Sequence, residues 1–244
     1  MNDSTVASGA KSRFRAWVSA ELFFIFGVIV AIFFGILSPD VSNELKLSTS
    51  QLGVLSGVFF ITYSIGQILL GSLLGPWSPR LILGAMAFLS AIGCVLFAIS
   101  TSMPVALIAR ALLGVGLSIS FVGVMHVISR DYPQRFSFMT SLSQSLANIV
   151  GALVALAASF TTILTTFRAP FMVVGVLFVP IGIALLIVIG RNSAGTQPQT
   201  DASPTASIGA ILAACLGSRQ FWAGLVYYSC LFGTVLAYAD LWNI

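Results

Sequence analysis

The chain has 244 residues, of which 58% are hydrophobic and only 7% charged, against roughly 25% charged in an average soluble domain. A water-soluble surface cannot be built from that composition. The net charge of +4 comes from eleven Lys and Arg scattered in ones and twos, which read as topology signals rather than as a nucleic-acid surface.

Seven stretches contain no Asp, Glu, Lys or Arg: 22–39, 47–79, 81–109, 111–129, 136–167, 169–190 and 220–239. Each can hold a membrane-spanning helix, which needs about 20 mostly apolar residues; a β-barrel would show short alternating segments instead. The expected fold class is therefore all-α, a polytopic transmembrane helix bundle. Three cysteines, Cys94, Cys215 and Cys230, are an odd count with two inside apolar stretches, and imply no disulfide framework.

Residues 1–16 read as a cytoplasmic tail. The first apolar stretch, after Lys11, Arg13 and Arg15, is longer than a signal-peptide core of about 7 to 15 residues and ends at no small-x-small cleavage site, so it is read as a retained helix. Prolines then mark the joints: Pro39 after span 1, Pro76 and Pro79 between 2 and 3, Pro104 opening 4, Pro133 between 4 and 5, and Pro170 opening 6. The spans are expected at 17–38, 50–75, 81–100, 104–128, 137–160 and 169–190, a six-helix bundle within 17–190.

Residues 191–219 read as a cytoplasmic linker, rich in Ser, Thr, Gln, Pro and Ala over 192–205. Ile208, Ile211, Leu212 and Cys215 follow at the spacing of one helical face, which predicts a short amphipathic helix on the membrane surface. A seventh span, 221–240, lies within a last segment of 220–244. With the N-terminus inside, Lys11, Arg13, Arg15, Arg80, Arg130, Arg135, Arg191 and Arg219 are cytoplasmic, and only Lys46 and Arg168 lie outside. That asymmetry predicts a multi-pass protein of the plasma (inner) membrane with a cytoplasmic N-terminus.

Ser64-Ile65-Gly66-Gln67-Ile68 in span 2 resembles Ser145-Leu146-Ala147-Asn148-Ile149 in span 5, three helices later and running the opposite way. Two inverted three-helix repeats would produce this.

Arg110 is the least expected residue, because an arginine inside a span costs about 2.5 to 3.5 kcal/mol even on the mildest scale. Gating or anion binding is one reading; snorkelling to the outer interface or a structural bond to carbonyls is the other. Gly114 and Ser118 follow it at intervals of four, with Gly116 beside them, and read as helix packing, as do Gly53 with Gly57 and Gly71 with Gly75. Ser141, Gln144 and Asn148 form a polar stripe in span 5, and Tyr63 and Gln67 one in span 2. Amides in hydrocarbon need partners, so both stripes should face the bundle interior, as interhelical glue or as a hydrated path. Glu21 is the carboxylate within a span and a candidate for proton coupling, if it is not solvated or paired with a loop arginine. His126 reads as interfacial and defines no metal site, and Tyr227 and Tyr228 are candidate cavity residues. No span holds a lysine for a retinal Schiff base, paired aspartates for a protease or the repeated arginines of a voltage sensor, and no Gly-x-Ser-x-Gly occurs.

Two segments carry a family resemblance. Gly71-Ser72-Leu73-Leu74-Gly75-Pro76-Trp77-Ser78-Pro79-Arg80 resembles the major facilitator superfamily's loop motif, glycine followed by Asp-Arg-x-Gly-Arg-Arg, with Gly71 and Arg80 kept and Gly75 at the acidic position. Arg110-Ala111-Leu112-Leu113-Gly114-Val115-Gly116 resembles its Arg-x-x-x-Gly-x-Gly motif, and Phe221-Trp222 onward is similar to the start of the second half in many members. The resemblance implies the family's N-terminal half plus linker and seventh helix, hence secondary transport of a small solute by alternating access, without cofactor or enzymatic activity. Arg110, Gly71, Arg80, Gly114 and Gly116 would then be gating or structural, and Tyr63, Gln67, Gln144, Asn148 and Tyr228 would line the pathway. Because the family usually has twelve helices, a truncated carrier is expected, the alternatives being a non-transporting fragment or a membrane assembly protein that uses the glycine faces.

Overall fold

The computed structural model describes residues 3–74, 77–160, 166–189, 216–227 and 229–230. The chain divides into two compact units, Met1–Thr196 and Gln197–Ile244. The first is all helix among its described residues: α1 (Asp3–Leu45), α2 (Thr49–Leu73), α3 (Pro79–Ala98), α4 (Met103–Leu117), α5 (Ser120–Asp131), α6 (Phe136–Phe160) and α7 (Arg168–Val188), with a single 3-10 turn at Pro133–Arg135. Among the described residues, six helical stretches are long and apolar enough to cross a membrane, α4 and α5 together forming one of them. In the second unit, residues 219–227 and 229–230 are helical, and the Trp222 indole donates to the Leu216 carbonyl at 2.8 Å. Residues 191–215 of the linker, with the amphipathic stretch, and most of the seventh span lie outside the described residues.

The first span differs from expectation at both ends. Helix α1 starts at Asp3, inside the expected tail, and runs through Pro39 to Leu45. A proline withholds the N–H that its i−4 carbonyl would receive. Here that carbonyl is Gly35, and the Ser38 hydroxyl donates to it at 2.9 Å, so the helix continues. It stops where Lys46 turns left-handed (φ 52°) and the Leu47 N–H returns to the Ser42 carbonyl at 2.9 Å, a Schellman closure. Three residues on, Ser48 and Gln51 exchange hydrogen bonds in a capping box that opens α2.

The fourth span, expected as one helix, is interrupted at Ser118 and Ile119. Ser118 and Ser120 donate their hydroxyls to the carbonyls of Val115 and Leu117, both at 2.7 Å. Serine back-bonding of this kind competes with the helical ladder and bends it.

Packing is selective. Helix α3 lies against α4 and α7, α2 against α4, and α1 against α5, α6 and α7. Exchanging spans 1, 2 and 3 with spans 4, 5 and 6 returns the same set of neighbours. Phe97 anchors the core, its ring centroid 6.1, 5.4 and 4.7 Å from those of Phe34, Phe167 and Phe171.

One end of the unit is fastened by Arg168. Its guanidinium pairs with Glu44 at 2.8 Å and donates to the Ala98 carbonyl at 2.9 Å, while Thr166 donates to Glu44 at 2.7 Å. The ends of α1 and α3 and the start of α7 are thereby joined, a function that the charge count alone did not assign to this loop arginine.

Candidate functional site

Arg110 projects from α4 between two rings, Phe34 of α1 at 3.9 Å and Phe59 of α2 at 4.4 Å. Its Nε donates to the Leu55 carbonyl at 3.3 Å, and the residue is 1% exposed. It does not snorkel to the interface. A flat, weakly hydrated guanidinium suits a slot between aromatic faces, and each desolvated cation–π contact stabilises by roughly 2 kcal/mol. The arginine thus ties three helices together across an apolar layer.

One turn further along, a Cβ added to Gly114 would strike the Thr62 hydroxyl and lie 2.5 Å from the Phe59 carbonyl of α2. On the other side of α4, a Cβ at Gly116 would lie 2.5 Å from the Ser90 hydroxyl and 2.9 Å from the Ser90 nitrogen of α3. The missing side chains set both spacings. Gly66 does the same for α2, 2.6 Å from the Ser118 hydroxyl by that measure. Gly53, Gly57 and Gly71 instead have nothing within 4 Å, so the packing expected of them is not found among the described residues. Gly75 lies outside those residues.

The polar stripes lie at the margin of the unit, partly covered and partly open. Helix α2 and the span containing α6 are its two least covered, each with 17% of its apolar window buried against 56% for α3. Asn148 and Ser141 are exposed, and Gln144 and Gln67 half-buried. Gln144 donates to Asn148 at 3.4 Å, one turn away on α6. Tyr63 is half-buried, its hydroxyl meeting that of Ser120. The two stripes occupy matching places, because aligning Ser64 with Ser145 sets Tyr63 against Gln144 and Gln67 against Asn148. Each runs beside a seam of small side chains, Thr62 and Gly66 on the α4 side of α2, Ser143 and Gly151 on the α1 side of α6.

Glu21 lies in the α1–α6 seam. It is 4% exposed, neither carboxylate oxygen has a hydrogen-bond partner among the described residues, and it joins neither ion pair found there. Among the described residues, Glu21 is therefore neither solvated nor paired with an arginine. Burial without pairing is costly for a charged carboxylate. Its polar neighbour is Ser143, which also accepts from the Trp17 indole at 3.0 Å. Sequence reading passed over Trp17 and Ser143, although Ser143, Ala147 and Gly151 form a small-residue stripe at intervals of four. Trp17→Phe should lower stability by about 1 kcal/mol, read as a drop of a few degrees in Tm in detergent.

The remaining candidates are dispersed. Arg80 is the second residue of α3, with its Nε buried and unpartnered among the described residues. His126 is half-buried on α5, Tyr227 is exposed, and Tyr228 lies outside the described residues. No cluster of metal-ligating side chains occurs among those residues.

A search of curated proteins gives no match. The model of the Major Facilitator Superfamily matches residues 22–242, nearly the whole chain and including the Arg110-to-Gly116 segment and both amide stripes. With six membrane-capable helices among the described residues, the chain is an integral membrane protein of the transporter class and belongs to the Major Facilitator Superfamily.

Proposed function

We propose that this protein is a secondary-active carrier of a small solute, working by alternating access, with its N-terminus in the cytoplasm and its helices in the plasma (inner) membrane. The supporting observation is the pair of amide stripes at matching positions of α2 and α6, the two least covered helices of an otherwise apolar unit, with Asn148 exposed and Gln67 and Gln144 half-buried. Amides do not face hydrocarbon without partners, so these faces border water or a second six-helix half. Tyr63, Gln67, Gln144 and Asn148 line the pathway in this reading, Tyr228 adds to it from the seventh helix, and α1 to α3 and α4 to α7 act as two inverted repeats. Glu21, buried and unpaired, is the coupling-proton site.

Two measurements test it. Single cysteines at Gln67 and Asn148, in a chain with Cys94, Cys215 and Cys230 replaced by serine, should react with a membrane-impermeant maleimide, whereas one at Leu153 should not. Gln67→Leu and Asn148→Leu should abolish uptake in proteoliposomes with insertion intact, and Glu21→Gln should remove its dependence on a proton gradient. Unreactive cysteines at 67 and 148 together with unchanged uptake would sink the proposal.

A second reading, a membrane assembly protein, is favoured by the open faces of Gly53 and Gly57. It requires Gly53→Leu with Gly57→Leu to change oligomer size on native gels.

A further inference from the structure

An open groove of about 310 Å³ runs between α1 and α7, lined by Leu22 and Phe26 on one side and by Leu177, Pro180 and Ala184 on the other. Ser19 is the one hydroxyl in its wall, and that hydroxyl donates to the Arg15 carbonyl at 2.9 Å, leaving the groove no free donor. The interior therefore suits hydrocarbon and gives a polar solute nothing to bind.

The same face of α1 changes character toward its start. Lys11, Arg15, Ser19, Leu22 and Phe26 recur at spacings of four, four, three and four, so they share one stripe of the helix. At a rise of about 1.5 Å per residue, Arg15 lies about 6 Å and Lys11 about 12 Å along the axis from Ser19. Both cations are exposed, and neither takes part in the two ion pairs among the described residues. Arg13, between them in sequence, points to another face.

An apolar slot with two cations in line below it matches an amphiphile with a negatively charged head. We propose that this groove is a binding site for an anionic phospholipid of the leaflet at the N-terminal end of α1. One acyl chain lies between α1 and α7, and the headgroup phosphate contacts Arg15 and Lys11. The inference stands apart from the transport reading, since it uses none of the residues assigned to the pathway.

The test uses the full chain in a nonionic detergent, with dioleoylphosphatidylglycerol and dioleoylphosphatidylcholine titrated separately and bound lipid counted by native mass spectrometry. Two basic residues near the headgroup, each contributing roughly a five-fold preference, give about 25-fold tighter binding of the anionic lipid. Lys11→Gln with Arg15→Gln should bring phosphatidylglycerol to the level of phosphatidylcholine, and Arg13→Gln should change neither. Filling the groove with Ala184→Trp should weaken both. Equal affinities for the two lipids, a preference that survives the double variant, or one that falls as far with Arg13→Gln would each overturn the assignment.

Discussion

Gly114→Ala is expected to reduce sharply the yield of monodisperse protein extracted from membranes, while Gly53→Ala leaves it unchanged. The new methyl at position 114 would lie 2.5 Å from the Phe59 carbonyl, against an ordinary contact of 3.4 to 4 Å. Thr62 can rotate away, but the α2 backbone can only shift, and overpacking of that kind costs about 1 to 3 kcal/mol. The shift also widens the Arg110 slot, because Phe59 supplies one of its walls. At Gly53 nothing lies within 4 Å, and alanine even gains about 0.5 to 1 kcal/mol of helix propensity. Size-exclusion profiles of the two variants read the difference directly; matching profiles would mean that the α2–α4 spacing is not set by Gly114.

Arg110→Lys should be more damaging than its conserved charge suggests. An ammonium is compact and strongly hydrated, so it cannot lie flat between Phe34 and Phe59 while reaching the Leu55 carbonyl. The expected loss is on the order of 3 kcal/mol, seen as a lower Tm and folded yield in detergent. Arg110→Met fills similar space without a buried charge and should be recovered in higher yield than the lysine variant. If the lysine variant folds normally and only its transport changes, Arg110 acts on substrate instead of on helix packing.

What could be read in advance followed from the solvent. A bilayer demands long apolar helices, and among the described residues six overlap the charge-free gaps, the first overrunning its gap at both ends. Helix ends depend on single hydroxyls, and these escaped notice: Ser38 carries α1 through Pro39, and Ser118 and Ser120 bond carbonyls where the fourth span is interrupted. At the site, the oddity of Arg110 was legible, because a charge among apolar residues has few permitted surroundings. The rings that hold it were not, since Phe34 and Phe59 belong to other helices and resemble any other phenylalanine in a span. Glycine pairs show the same limit. Spacing makes Gly53 and Gly57 look equivalent to Gly114, and only the neighbouring helix separates a packed glycine from an open one. The amide stripes were found as residues, but how far each is covered was not legible, because a half-covered helix has the same periodicity as an enclosed one.

The Arg168 cluster bears on how the unit can deform. Its bonds hold the ends of α1 and α3 to the start of α7, while α2 and α4 contribute nothing to it. Held together at that edge, the three helices can separate only by displacements that grow toward the opposite edge, where Trp17 and Glu21 sit.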